Sequence, residues 1–172
     1  LTNKVQTTIK KLSKNSLSVD YLIKNNKDKE IRLAMVHLSF IAHAYIWGGN
    51  KPEKILPEVI AKPWVQLSEY LGRPPILSYA SYCLDNWYKI DNKEPISLDN
   101  VALINNFLGG VDEDWFVTIH VCIEDAASEA VDSAYKLSKL NEKNSVKDYS
   151  IHLKRISKSL NKVNTIFSKM PE

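Results

Sequence analysis

Near the end of the chain, apolar residues recur every three or four positions. This spacing places them on one face of a helix, because an α-helix completes a turn in about 3.6 residues. The sequence therefore predicts a helix whose apolar seam packs against another helix. With roughly three heptads, a bundle helix is the favoured interpretation and a coiled-coil dimer is the alternative. The predicted seam consists of Val146, Tyr149, Leu153, Ile156, Leu160, Val163 and Phe167.

Further helical patterns are separated by Pro and Gly along the rest of the chain. Asp28 is placed to cap a helix that ends at Gly48, and Pro63 suits the first position of the next helix. Acidic residues follow Gly110, where a helix N-terminus favours them. Residues 97–107 fit either a short strand or a loose helix. We predict a mainly α-helical fold with helices over residues 28–47, 63–71, 74–88, 111–140 and 146–167.

Composition excludes several partners. The net charge of +3 comes from scattered lysines, which do not form the clustered basic patch that is typical of nucleic-acid-binding proteins. Cys83 and Cys122 lie in apolar patterns without CxxC or metal-ligand spacing, so we expect buried thiols in a reducing, cytosolic protein. The apolar segment 31–47 is at the short limit for a membrane span and contains polar residues, so we interpret it as a core helix and expect no membrane partner.

Of the four histidines, His120 is the strongest candidate for a catalytic or ligand-binding role. Apolar residues three and four positions away place it on or beside an apolar face, where a histidine is more often a hydrogen-bonded core residue than a ligand. We interpret His43 as structural and His152 as solvated. His37 precedes His43 by six positions, which is the wrong spacing for a metal-binding pair on one helix face. No phosphate loop, HExxH or GxSxG motif supports a nucleotide-binding or hydrolase interpretation.

Three stretches carry a more specific pattern. Residues 40–48 read Phe-Ile-Ala-His-Ala-Tyr-Ile-Trp-Gly, and residues 74–87 read Pro-Pro-Ile-Leu-Ser-Tyr-Ala-Ser-Tyr-Cys-Leu-Asp-Asn-Trp. Residues 115–124 read Trp-Phe-Val-Thr-Ile-His-Val-Cys-Ile-Glu. In their order and their residue identities these stretches resemble the N-terminal part of the indoleamine 2,3-dioxygenase family, from about Arg32 onward.

The resemblance implies site residues. In that family the third stretch forms one wall of the pocket above the haem iron. Alignment on Trp115 and Glu124 places His120, the implied catalytic residue, where the family usually has a small polar residue such as Ser. The related tryptophan 2,3-dioxygenases instead place a histidine in their distal pocket. The resemblance also implies five substrate-binding residues, namely Phe116 and Val117 on this wall and Tyr79, Tyr82 and Cys83 from the second stretch.

The same resemblance implies a domain plan. Residues 1–108 would form a small helical domain, and residues 109–172 would begin a larger helical domain that binds haem b. The histidine that ligates the haem iron lies in a C-terminal part of the family that this chain lacks. Since the chain also starts at Leu1 without an initiator Met, we expect it to be a fragment whose partner is the C-terminal half of the same protein.

The implied activity is a dioxygenase reaction. Both atoms of O2 add across the indole C2–C3 bond of tryptophan, or a related indole, to give N-formylkynurenine. Two alternatives stay open. One is a non-catalytic haem protein that binds O2, which a distal histidine would favour. The other is a cofactor-free helical module that binds a partner through the 146–167 seam.

Overall fold

A computed structural model describes residues 2–13, 16–141 and 145–171, without the side chains of residues 2 and 3. The described part is mainly α-helical, which confirms the predicted fold class. The helices are α1 Thr2–Ile9, α2 Asp20–Lys24, α3 Asp28–Trp47, α4 Glu58–Leu71, α5 Val111–Leu137 and α6 Val146–Phe167, together with a π-helix at Ala80–Leu84. The strands are β1 Trp87–Lys89 and β2 Val101–Leu103.

The chain divides into two compact units. The first comprises Leu1–Asn86 and Ile104–Gly109, and the second comprises Trp87–Leu103 and Gly110–Glu172. Each unit has its own packing.

The core of the first unit is built by α3 and α4. Ile31 and Met35 of α3 and Ile60 and Leu67 of α4 are almost completely buried. Trp64 Nε1 donates a hydrogen bond to Ser39 Oγ at 3.0 Å, so the one polar atom of this buried ring is satisfied. No helix in the described ranges is both long and apolar enough to cross a membrane.

Helix α4 begins earlier than the sequence predicts. The prediction placed Pro63 at its first position, but the helix starts at Glu58 and contains Pro63 in its interior. Pro57, at φ −57°, already has a backbone conformation suited to the start of a helix. Pro57 and not Pro63 therefore marks the beginning of α4. The helix ends as predicted at Gly72, whose φ of +63° is a left-handed conformation that glycine adopts without strain.

The helix predicted over residues 74–88 is wrong for most of its length. Pro74 and Pro75 have no backbone N–H to donate, and helical structure starts only at Ala80 as a single π-helical segment. Trp87 opens β1, which pairs antiparallel with β2 so that Trp87 faces Leu103 and Lys89 faces Val101. The strand alternative for residues 97–107 therefore holds at 101–103.

The second unit is dominated by the α5–α6 pair. The two helices run antiparallel, since Trp115 Nε1 donates to the Lys169 carbonyl at 3.0 Å and Ala130 contacts Ser159. Helix α6 spans the predicted residues and starts with a capping box, in which Ser145 Oγ accepts from the Asp148 N–H and the Asp148 carboxylate accepts from the Ser145 N–H.

The face that α6 buries differs from the predicted seam by a partial turn. Four of the seven residues of the predicted seam are exposed. Their exposed fractions are 86% for Val146, 56% for Leu153, 54% for Leu160 and 58% for Phe167. We call these four residues the exposed stripe. His152 lies on the less exposed side and not in solvent as predicted, because the helix is rotated so that His152 and Ser159 share this face with apolar residues. Past Ser150, the less exposed positions are His152, Ile156, Ser159, Val163, Ile166 and Met170.

Ser159 joins the two helices through a hydroxyl bridge. Its Oγ donates to the Ala126 carbonyl at 2.5 Å and accepts from the Ala130 N–H at 3.2 Å. These are the carbonyl and amide that pair with each other in a regular α-helix. The fully buried hydroxyl thus occupies a position where few other side chains would satisfy both groups.

We expect Ser159→Ala to lower the free energy of unfolding by about 1–2 kcal/mol, because it removes a buried bridging hydroxyl. Thermal unfolding followed by circular dichroism measures the change, with a drop of roughly 2–8 °C expected. The exposed Ser157 on the same helix provides the matched control Ser157→Ala. Equal melting temperatures for the two variants would contradict a stabilising role for the bridge.

Candidate functional site

In the first unit, Tyr79, Tyr82 and Cys83 lie on and beside the π-helix. The Asp85 N–H bonds to the Ala80 carbonyl at 2.8 Å, which is the five-residue spacing of a π-turn. Such turns are rare and occur frequently at functional sites. Cys83 is fully buried, whereas Tyr79 is 44% exposed.

Tyr82 belongs to an aromatic cluster. Its ring stacks on Phe40 with centroids 5.7 Å apart and on Phe107 at 6.4 Å. Phe40 and Phe107 lie 4.7 Å apart. These spacings are typical of favourable aromatic pairs, so the cluster fixes the position of the Tyr82 side chain.

Asn86 holds the π-helix against residues 104–109. Its Nδ2 donates to the carbonyls of Tyr82 at 3.1 Å and Asn105 at 2.8 Å, and its Oδ1 accepts from the Asn105 N–H at 2.8 Å. The side chain of Asn86 is fully buried. His37 Nδ1 bonds to Asn105 Oδ1 at 3.0 Å and extends this network to α3. Sequence reasoning missed these positioning residues, although Asn86 stands inside the second motif, next to Trp87.

In the second unit, Phe116, Val117 and His120 lie near the start of α5. Val117 is fully buried, Phe116 is 44% exposed and His120 is intermediate. The Phe116 and His120 rings lie 4.3 Å apart and are inclined by 44°. The structure thus brings the predicted catalytic histidine and one predicted substrate-binding ring into direct contact.

A backbone hydrogen bond fixes the His120 ring. His120 Nδ1 lies 2.6 Å from the Phe116 carbonyl oxygen. A carbonyl oxygen can only accept, so Nδ1 carries the proton and donates it. In the neutral ring the lone pair is therefore on Nε2.

A cleft of about 650 Å³ also lies in the second unit, with Asp99, Cys122, Asp125 and Lys162 among its lining residues. Burial raises the pKa of the Cys122 thiol to about 11, and the carboxylates of Asp125 and Asp99 add to the shift. The thiol stays protonated at neutral pH and is not an activated nucleophile.

Metal-binding side chains do not cluster in the described part of the chain. No group of three His, Cys, Asp or Glu residues there is arranged to hold a metal ion. His43 Nδ1 bonds to the Ser39 carbonyl at 3.0 Å, and His152 Nδ1 is buried without a hydrogen-bond partner among the described residues.

Comparisons with known proteins identify the family. The sequence profile of the Indoleamine 2,3-dioxygenase family matches residues 1–172. Indoleamine 2,3-dioxygenase 1 of Mus musculus is 38% identical over 141 residues, which are 81% of this chain and 35% of the mouse protein. Indoleamine 2,3-dioxygenase of Saccharomyces cerevisiae is 36% identical over 114 residues, covering 63% of this chain and 25% of the yeast protein.

The chain belongs to the indoleamine 2,3-dioxygenase family, as its three motifs predict. It spans 35% of the length of the mouse relative. Indoleamine 2,3-dioxygenase 2 of Homo sapiens is 36% identical over 101 residues, which are 58% of this chain and 25% of the human protein.

Proposed function

We propose that the chain is the N-terminal part of a haem-dependent dioxygenase that acts on tryptophan or a related indole. The contact between His120 and Phe116 carries the proposal, because it sets an imidazole ring of fixed tautomer beside a partly exposed aromatic ring. An indole presents the complementary pair, a flat apolar face and one N–H. Family membership supports the reaction class.

The residues present fit one wall of a haem pocket. A ring nitrogen held in a fixed tautomer beside an apolar side chain suits the distal side, where substrate binds. Haem b, when bound, supplies the activation of O2. We place the proximal iron ligand in the C-terminal half of the protein.

Each site residue has a proposed role. The Phe116 ring packs against the indole, and His120 Nε2 accepts the indole N–H, which orients the C2–C3 bond for attack. Val117, fully buried, supports the position of Phe116 from within the second unit. On the family resemblance alone, we add Tyr79, Tyr82 and Cys83 as further substrate-binding residues.

We also propose that residues 109–172 begin the larger haem-binding domain and that residues 1–108 belong to the smaller one. The exposed stripe of α6 supports this plan, because four large apolar residues at seven-residue intervals favour burial by a further helix. The buried thiols of Cys83 and Cys122, neither of which forms a disulfide, support a cytoplasmic location.

The decisive experiment is a pair of measurements on the full-length protein. An absorption spectrum tests for haem through its Soret band, and an assay with tryptophan and O2 tests for N-formylkynurenine. Haem with product formation is the expected result. Haem that binds O2 without product would favour an oxygen-binding protein, for which His120 would stabilise bound O2.

The exposed stripe favours one further candidate, a cofactor-free helical interaction module. In that case the protein would lack haem and would self-associate or bind a partner helix through the stripe. Leu160→Asp would then disrupt association, since it places a charge in the contact.

We expect Phe116→Ala to raise KM for tryptophan about tenfold, because stacking and burial against one aromatic ring are worth about 1–2 kcal/mol. Steady-state kinetics of the full-length holoprotein provide the measurement. Val131→Ala removes a more exposed apolar side chain from the same helix and is the control. An unchanged KM in Phe116→Ala would place the ring outside the substrate site.

A further inference from the structure

An ion pair lies at the end of the π-helix in the first unit. Asp85 follows the last π-helical residue, and its Oδ2 accepts a hydrogen bond from Arg73 Nη2 at 2.8 Å. The side chains of Arg73 and Asp85 are only 16% and 18% exposed, so the pair is largely withdrawn from water. Removal of one partner from such a pair leaves an uncompensated charge in a poorly solvated place, whereas the loss of an exposed pair costs little.

Arg73 brings the end of α4 to this carboxylate. It comes directly after Gly72, where α4 ends in a left-handed conformation, and its N–H donates to the Ser68 carbonyl at 3.0 Å. The helix cap therefore fixes the backbone of Arg73. A guanidinium that starts from a fixed backbone loses less conformational entropy on binding a carboxylate than a mobile surface arginine does.

Asp85 also closes the π-turn through its backbone, because its N–H donates to the Ala80 carbonyl at 2.8 Å. One residue thus provides both the closing hydrogen bond of the turn and the carboxylate that Arg73 binds. Without the guanidinium, the Asp85 carboxylate would gain hydration by turning toward solvent. That movement would draw its N–H away from Ala80, so the geometry of the turn is coupled to the ion pair.

We propose that Arg73 is a positioning residue for the substrate pocket, because it holds the π-turn closed through Asp85. This inference rests on the proposed function, in which Tyr79 and Tyr82 of this segment bind the substrate. Arg32 also approaches the same carboxylate, but its Nη1 lies 3.7 Å from Asp85 Oδ1 and its side chain is 55% exposed. Its contribution is therefore small.

Paired substitutions of the two arginines test the proposal in the full-length holoprotein. Arg73→Met removes the charge and keeps the length of the side chain, and Arg32→Met is the matched control on the same carboxylate. We expect Arg73→Met to raise KM for tryptophan about threefold to tenfold and to change kcat less than twofold, because the turn binds substrate and holds no reacting group. Arg32→Met should change KM less than about twofold. A mere loss of folded protein would instead lower kcat and leave KM unchanged.

Fluorine NMR provides a second measurement that needs neither haem nor turnover. 3-Fluorotyrosine placed at Tyr79 should change its chemical shift in Arg73→Met and keep the wild-type shift in Arg32→Met. Arg73→Lys keeps the charge but not the planar guanidinium, so it should give a smaller change of the same kind. This variant carries the test if Arg73→Met fails to fold.

The proposal is overturned if the substitutions of Arg73 leave both KM and the fluorine signal unchanged, or if Arg32→Met changes them as much as Arg73→Met does. A wild-type protein without activity on tryptophan would refute the proposed function instead. The fluorine signal would then still decide whether Arg73 fixes the turn, so the two failures are distinguishable.

Discussion

His120→Asn is expected to lower kcat/KM for tryptophan by about 10–100-fold in the full-length holoprotein, since a hydrogen bond in a water-poor site is worth about 1.4–2.7 kcal/mol. Asn is too short to present an acceptor where Nε2 lies, although its amide can still reach the neighbouring backbone. The Soret band should shift as well, because the environment above the iron changes. Steady-state kinetics and absorption spectroscopy provide the two measurements.

A second substitution sharpens this test. Gln is longer than Asn by one carbon, so its side-chain amide reaches close to the position of Nε2. His120→Gln should therefore recover part of the activity that His120→Asn loses. If both variants keep the wild-type spectrum and kinetics, the hydrogen bond to the Phe116 carbonyl is the whole role of His120, and that role is structural.

Asn86→Leu is expected to lower the free energy of unfolding by at least about 3 kcal/mol. Leu has a similar size but makes none of the three hydrogen bonds, so the carbonyls of Tyr82 and Asn105 and the N–H of Asn105 lose their partner. Each unsatisfied buried group costs about 1–3 kcal/mol. Chemical denaturation, followed by circular dichroism, measures the loss.

Asn92→Leu is the matched control, because Asn92 lies in an exposed turn. Its side chain takes part in no hydrogen bond with the described residues, so this substitution should change stability by less than about 0.5 kcal/mol. Similar midpoints for the two variants would show that the Asn86 network does not hold the first unit together.

The longer helices could be predicted because their signals are local. The start of α6 is encoded by Ser145 and Asp148, and its length by apolar periodicity. The rotation of α6 could not be predicted in this way. Apolar residues alone define the predicted seam, whereas the face that is buried includes His152 and Ser159, whose fit depends on backbone groups of α5.

The segment after Pro74 is a second part of the fold that local sequence signals do not predict. Its apolar residues repeat with helical spacing, yet β1 forms because Trp87 and Lys89 find pairing partners on β2, which are distant in sequence. Long-range pairing of this kind leaves no local signal. Asn86 was missed for the same reason, since its partner at Asn105 lies 19 residues away.

Recognition of the family motifs identified the candidate residues before their contacts were known. It did not give the orientation of the His120 ring, which depends on a single bond to the Phe116 carbonyl. Motifs specify which side chains are present. The tautomer and direction of each side chain depend on the backbone beside it.

The π-helix makes the number of residues between Tyr79 and Asn86 significant in itself. A π-turn contains about one residue more than an α-turn, and each residue of an α-helix advances the side chains by about 100°. Loss of one residue within Ala80–Leu84 would convert the segment to an α-turn and rotate one of its flanks by that angle. A single deletion here would therefore change the direction of Tyr79 relative to Asn86 without replacing either side chain.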